Sequence, residues 1–180
     1  MSEFTDAMML FGMSIELRDD RGARLVMSRS ANKKPLVAWA VTLLELHGFT
    51  TQVCSVASGV MTYKTTENIF LKAAYRRWYD HGSRVTPLDV RICDNTLATW
   101  GVEALFDAPE GDVVLRAPRM SDVVASRLAA QVQVFGFNAL PIRRGEQYNL
   151  CIPASQRAEF ENWMCAYVPR AVWSAHADKA

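Results

Sequence analysis

Thr96-Leu97-Ala98-Thr99-Trp100-Gly101-Val102-Glu103-Ala104-Leu105-Phe106-Asp107 is the stretch on which the reading of this chain turns. Leu97, Trp100 and Val102 through Leu105 place apolar positions at helical spacing, and Asn95 or Thr96 can cap the start by accepting an orphan backbone N–H. Ala98, Gly101 and Ala104 recur every three residues along one side. Such a strip suits close packing of a second helix, although an alanine-rich core helix would give the same pattern. The neighbouring segments decide between the two.

Upstream, Ala7-Met8-Met9-Leu10-Phe11-Gly12 predicts a short helix that starts after a cap at Thr5 or Asp6 and stops at the glycine. Residues 14–18 alternate polar and apolar, 19–22 supply turn chemistry, and Arg24 to Ser28 return with Leu25 and Met27 inward, which predicts a hairpin. Asn32 can cap a longer helix with Pro35 in its first turn and Leu36, Trp39, Ala40, Leu43 and Leu44 on its apolar face. Strands Phe49 to Val56 and Val60 to Thr65 turn at Ser58-Gly59. Thr66 or Asn68 then caps a helix carrying Ile69, Phe70, Ala73, Ala74 and Trp78 inward.

Downstream, Asp112 to Ala117 reads as a strand, and Ser121 caps a helix through Val124, Leu128, Ala129, Val132 and Phe135. Phe137 to Arg143 and Gln147 to Ile152 form a hairpin across Gly145. Ser155 opens a last helix with Phe160, Trp163, Met164 and Tyr167 on its apolar side. Leu46-His47-Gly48-Phe49 matches Val134-Phe135-Gly136-Phe137, and each is followed by strand, glycine turn, tyrosine-bearing strand (Tyr63, Tyr148) and aromatic helix. An internal duplication, with repeats 1–86 and 87–180 packed as one globular unit, is the economical explanation.

Composition narrows the function. Half of the 180 residues are hydrophobic, enough for a buried core. Lys and Arg total 20 against 19 Asp and Glu, so nucleic-acid binding would have to come from local patches. The longest apolar run, Pro35 to Leu46, is too short and too polar to span a bilayer, and no membrane partner is expected. The acidic start, Met-Ser-Glu-Phe-Thr-Asp, lacks the positive charge of a targeting segment. Cys54, Cys93, Cys151 and Cys165 stand singly, which argues against a zinc site or a disulfide framework and predicts buried thiols in a reducing compartment.

Several stretches together resemble a known family. These are Thr86-Pro87-Leu88, Thr96 to Trp100, Val113-Val114-Leu115-Arg116, Phe135-Gly136-Phe137-Asn138, Tyr148 to Pro153, and Phe160 through Val168-Pro169. They resemble the single-chain, two-motif LAGLIDADG homing endonucleases, in the branch whose second half opens Leu-Ala-x-Trp. The resemblance covers nearly the whole chain, most strongly from Pro87 onward. It implies an α+β fold, a duplicated αββαββα unit about a pseudo-twofold axis. Two signature helices would abut, and antiparallel sheets would form a saddle for the DNA major groove.

The resemblance also implies a carboxylate at the foot of each signature helix, because divalent metals between the scissile phosphates need hard oxygen ligands. Here the family's Asp-Asp-Gly corresponds to Glu103-Ala104-Leu105, which leaves alanine at the ligand position. The first motif reads Leu10-Phe11-Gly12-Met13-Ser14, where neither Gly12 nor Met13 binds metal. A one-residue slip would recruit Glu103 or Asp107 in one half, whereas Glu16 would have to move by about a helical turn, ~5 Å, to compensate in the other. No catalytic residue, metal or cofactor is therefore expected. Asp107-Ala108-Pro109-Glu110-Gly111 also leaves almost no first strand in the second saddle, which weakens the case for reading a long duplex.

The candidate nucleic-acid-binding residues are Arg18, Arg21 and Arg24 on the first hairpin, Lys33 and Lys34 at a helix start, Arg116 and Arg119, and Arg143 and Arg144 on the last hairpin. Arg76 and Arg77 read as plain helix surface, and His47, His81 and His176 as structural. The expected function is that of a retired endonuclease that binds structured RNA (rRNA or intron RNA) or DNA without cleavage. Its setting would be a ribonucleoprotein, such as a mitochondrial or other organellar ribosome, among neighbouring proteins. Two rivals stand beside it. One is a magnesium-dependent DNA endonuclease that uses Glu103; the other is a protein-docking module on the exposed sheet.

Overall fold

The computed structural model of the chain describes residues 2–18, 22–108 and 110–174. Helix α1 (Ser2–Leu10) leads into strands β1 (Ser14–Arg18) and β2 (Gly22–Ser30), and a 3-10 turn runs directly into helix α2 (Lys34–Leu46). Strands β3 (Thr51–Ala57) and β4 (Val60–Thr65) form a second hairpin, followed by helix α3 (Leu71–Trp78) and a short ribbon of β5 (Tyr79–Asp80) and β6 (Ser83–Arg84). The second half holds helix α4 (Asp94–Asp107), strand β7 (Val113–Leu115), helix α5 (Asp122–Gln133), strands β8 (Leu140–Arg144) and β9 (Gln147–Ile152), and helix α6 (Arg157–Met164). This is the expected α+β architecture. Among the described residues no helix is long and apolar enough to cross a membrane.

Both sheets are antiparallel. The first has the order β1-β2-β4-β3, and the second, β7-β9-β8, is the same order without its opening strand. No strand lies between α4 and β7 among the described residues: Ala108 ends α4 in an extended conformation, and Gly111 turns the chain at positive φ. Side chains alternate across each strand, so Ile15, Ala23, Leu25 and Met27 are buried beneath the helices. Glu16, Arg24, Ser28, Thr62, Lys64 and Gln52 lie on the other face, with Glu16 opposite Arg24 and Gln52 opposite Lys64.

Helices α1 and α4 pack against each other at the centre, and every residue from Thr96 to Val102 is buried. Trp100, at the heart of the opening stretch, donates its indole N–H to the Arg116 carbonyl at 2.6 Å, which fastens α4 to the segment after β7. The small-residue strip is shared between two neighbours. Ala98 lines a gap against Ala7 and Met8 of α1, whereas a Cβ at Gly101 would lie 2.6 Å from the Phe160 ring and 3.2 Å from Met164 Sδ of α6. A spacing of three drifts around a helix of 3.6 residues per turn, so one strip cannot serve one partner along its length.

Several local expectations are corrected. Neither Asn95 nor Thr96 caps α4: Cys93 holds the cap position without a side-chain bond to the backbone, its thiol paired with the Thr96 hydroxyl at 3.1 Å. Asn32 likewise lies in the 3-10 turn and caps nothing. Thr5 and Asp6 are inside α1, which starts at Ser2. Ile69 and Phe70 are exposed, leaving Leu71 and Trp78 as the buried face of α3. The cysteines are not buried thiols, since Cys54 and Cys165 are exposed and Cys93 and Cys151 half-buried. Arg77 is not plain surface. It grips the buried Asp6 carboxylate at 2.5 and 2.8 Å, and its Nε donates to Asp89, which ties α3 to α1 and to the segment before α4. Arg76 is exposed as expected, and His176 lies outside the described residues.

Candidate nucleic-acid interface at the foot of the central helices

Helix α1 ends in a Schellman motif: Met13 N–H bonds to Met8 O, Gly12 N–H bonds to Met9 O, and Gly12 occupies the left-handed position at φ 90°. The remaining carbonyls of that end point at two arginines. Arg29 of β2 donates to Phe11 O, and Arg84 of β6 donates to Met13 O at 2.6 Å, each with a longer contact to Gly12 O. Positive charge there complements the negative end of the helix dipole. Burial, more than any neighbour, holds the Arg84 guanidinium below the usual arginine range.

From α4, Glu103 and Asp107 approach the same place. Arg29 Nη2 lies 3.1 Å from Glu103, and Lys33 Nζ lies 3.4 Å from Glu103 and 2.5 Å from Asp107. Arg116 reaches Asp107 at 3.4 Å from the outer side. A cleft of about 110 Å³ beside them is lined by Leu10, Trp100, Glu103, Ala104, Asp107, Val114 and Arg116. The foot thus gathers Arg29, Lys33, Arg84 and Arg116 around two carboxylates.

The predicted binding residues divide into groups. Lys33 and Arg116 belong to this foot cluster, and Lys34 is exposed at the start of α2. Arg24 is bound bidentately by Glu16 at 3.1 and 2.8 Å, and Arg18 pairs with Glu16 and Glu67, so this part of the first saddle is largely neutralised. The Arg24 hydrogen bond, opposed by some burial and reinforced by Lys64, lowers the Glu16 carboxyl to about 2. Arg119 and Arg144 meet across an open pocket with Ser121 and Gln147, and Arg143 is exposed next to it on the β8–β9 turn. Arg21 lies outside the described residues. Arg29 and Arg84 were not among the residues singled out from the sequence. Arg29 falls one residue past the strand read as Arg24 to Ser28, and no element is read over Arg84; only the fold brings both to Gly12.

Neither a family model nor a curated protein matches the sequence. Solved structures match it. The homing endonuclease I-WcaI bound to its DNA recognition sequence superposes with a TM-score of 0.68 at 12% identity, over 96% of this chain and 83% of that one. The fold is that of a homing endonuclease. A second match, full-length DUF199/WhiA from Thermatoga maritima, has a TM-score of 0.51 at 12% identity and covers 99% of this chain but 57% of its own.

The resemblance to LAGLIDADG homing endonucleases therefore holds at the level of the fold, with α1 and α4 as the abutting central helices. In a homing-endonuclease fold the foot of these helices is where a divalent metal would be sought, and the residues here do not fit one. A Cβ built on Gly12 would lie 3.2 Å from Glu103 Oε2 and 2.6 Å from Arg29 Nη2, so a guanidinium stands where two acids would converge. Among the described residues no group of three or more His, Cys, Asp or Glu could hold an ion. Glu103 and Asp107 are the acids a dication would need, and both already face fixed cations.

Proposed function

We propose that this chain binds nucleic acid on a homing-endonuclease scaffold without cleaving it, with structured RNA in a ribonucleoprotein as the favoured partner and an organellar ribosome as the setting. The observation that carries the reading is the Arg29 guanidinium lodged between Gly12 and Glu103, with Lys33 on Asp107 beside it. A dication entering there would have to displace two cations and bind two carboxylates that come from a single helix, α4. Backbone binding needs no such ligands. Phosphates are met by Lys and Arg alone, and Lys34, Arg119, Arg143 and Arg144 are exposed for that role.

The reduced second saddle favours shape and backbone recognition over readout of a long duplex, which is how folded RNA is commonly bound. A small, near-neutral chain also fits a site shared with neighbouring proteins. Val53, Val56 and Val60 expose an apolar tip on the β3–β4 hairpin that such a neighbour would cover. The test is capture of the native, tagged chain after crosslinking, followed by sequencing of bound RNA and DNA. Specific recovery of a structured RNA is expected. Recovery of protein partners with neither nucleic acid would overturn the reading in favour of a docking module, and recovery of one DNA site with nicks in it would favour the nuclease.

A further inference from the structure

At the opposite end of α4 from the foot cluster, about 12 Å along the axis from Glu103 to Asn95 at 1.5 Å per residue, lies a cavity of about 300 Å³. It is bordered by the beginning of α1, one side of α2, the first turns of α4 and the segment after α6, and it opens to solvent past Glu3, His47 and Asn95. It has room for about ten waters at roughly 30 Å³ each.

Its walls have a definite chemistry. Phe4, Trp39 and Tyr167 supply aromatic surface, and the Phe4 ring is backed by His47, stacked at 3.8 Å between centroids. The polar lining offers acceptors in the Glu3 carboxylate, the Asn95 amide and the hydroxyls of Thr96 and Thr99, the first of these hydroxyls paired with the Cys93 thiol, beside the His47 imidazole. No lysine or arginine lines it. The positive ends of α1 and α4 are already met by Glu3 and Asp94 in their first turns. The Tyr167 phenol is held above its usual value by burial first and by the nearby Asp94 carboxylate second. An anion would therefore meet two carboxylates and no lysine or arginine here, and a purely apolar guest would leave the acceptors unpaired.

We propose that this cavity is a binding site for an alkylguanidinium, either a free small molecule or an arginine side chain offered by another protein. A guanidinium is flat and cationic and carries only donors, so it can stack on aromatic faces while its N–H groups meet a carboxylate, an amide oxygen and hydroxyls. An ammonium of equal charge lacks the flat face, which predicts a preference for guanidinium over amine. The site shares no residue with the basic foot and stands whether or not the chain binds RNA.

Calorimetric titration of the full chain with agmatine, putrescine and an end-blocked Gly-Arg-Gly peptide tests it. Binding of agmatine at least tenfold tighter than putrescine assigns a free alkylguanidinium, and binding of the peptide alone assigns a protein arginine. In either case Glu3→Gln should weaken the interaction about tenfold. Leu43→Trp, which fills the cavity from α2, should abolish it while circular dichroism shows the fold retained. The inference is overturned if neither guanidinium compound binds at millimolar concentration, if putrescine binds as well as agmatine, or if binding survives both substitutions.

Discussion

Gly12 shows how closely one position can constrain a site. Its φ of 90° is needed to close the Schellman motif, and any side chain there would carry backbone strain and press against Arg29. An acid at Gly12 would carry backbone strain and would have to displace the end of the Arg29 side chain, with which it would pair. Arg29 holds the arrangement together: its side chain is 12% exposed, and it joins α1 carbonyls to Glu103 of α4. Its Nε is buried without a hydrogen-bond partner, an incompletely satisfied donor at the centre of the cluster. Replacing Arg29 by Met should leave Glu103 and the helix carbonyls short of a donor and cost about 3 kcal/mol in urea unfolding, more than loss of an exposed ion pair. On the saddle, Glu16 gives a pH signature. Because folding lowers its pKa from 4.5 to about 2, its contribution to stability is present above 4.5 and is lost as the pH falls from there through 2. NMR titration should find the Glu16 carboxyl near 2, rising toward 4.5 in Arg24→Ala. A wild-type value near 4.5 would show that the Arg24 bond does not persist in solution.

Among the elements, α4 explains what the sequence disclosed and what it hid. Its helical period and burial were legible from Leu97, Trp100 and Leu105, because a periodic pattern records which face is covered. The identity of the covering partner was not legible. Gly101 suggested helix-on-helix contact, and the helix it meets is α6, whose Phe160 ring it accommodates; only the fold sets that ring over it. Gly101→Ala should therefore destabilise by about 1–3 kcal/mol despite alanine's better helix propensity, and Phe160→Leu in the same chain should recover part of that loss in thermal unfolding. Loss of the first strand of the second sheet was readable in Asp107 to Gly111, since that stretch is too short for a strand. Caps were read least well. Cys93, a residue with no capping preference, stands where a polar cap was expected, because the tertiary fold, and not the local chain, fixes where α4 begins. The clamp of Arg77 on Asp6 was hidden for a similar reason, being a contact across 71 residues of chain.

For the molecule as a whole, two sheets of one order, one of them without its first strand, flank a central helix pair. With net charge near zero, binding must draw on local basic patches, so the dependence of affinity on salt should be traceable to single residues. Arg143→Ala and Arg144→Ala should each flatten the slope of log K against log salt by about 1 for RNA, whereas Arg18→Ala, already paired to acids, should change it little. The most direct test of the central claim compares binding and cleavage in EDTA with those in magnesium, for the full chain and two substrates. One is a hairpin RNA that folds without divalent ions, the other a supercoiled plasmid. The account predicts the same RNA affinity in both conditions and no nicking in either. Affinity or nicking that appears only with magnesium would show that a dication, and not Arg29, completes the foot of the central helices.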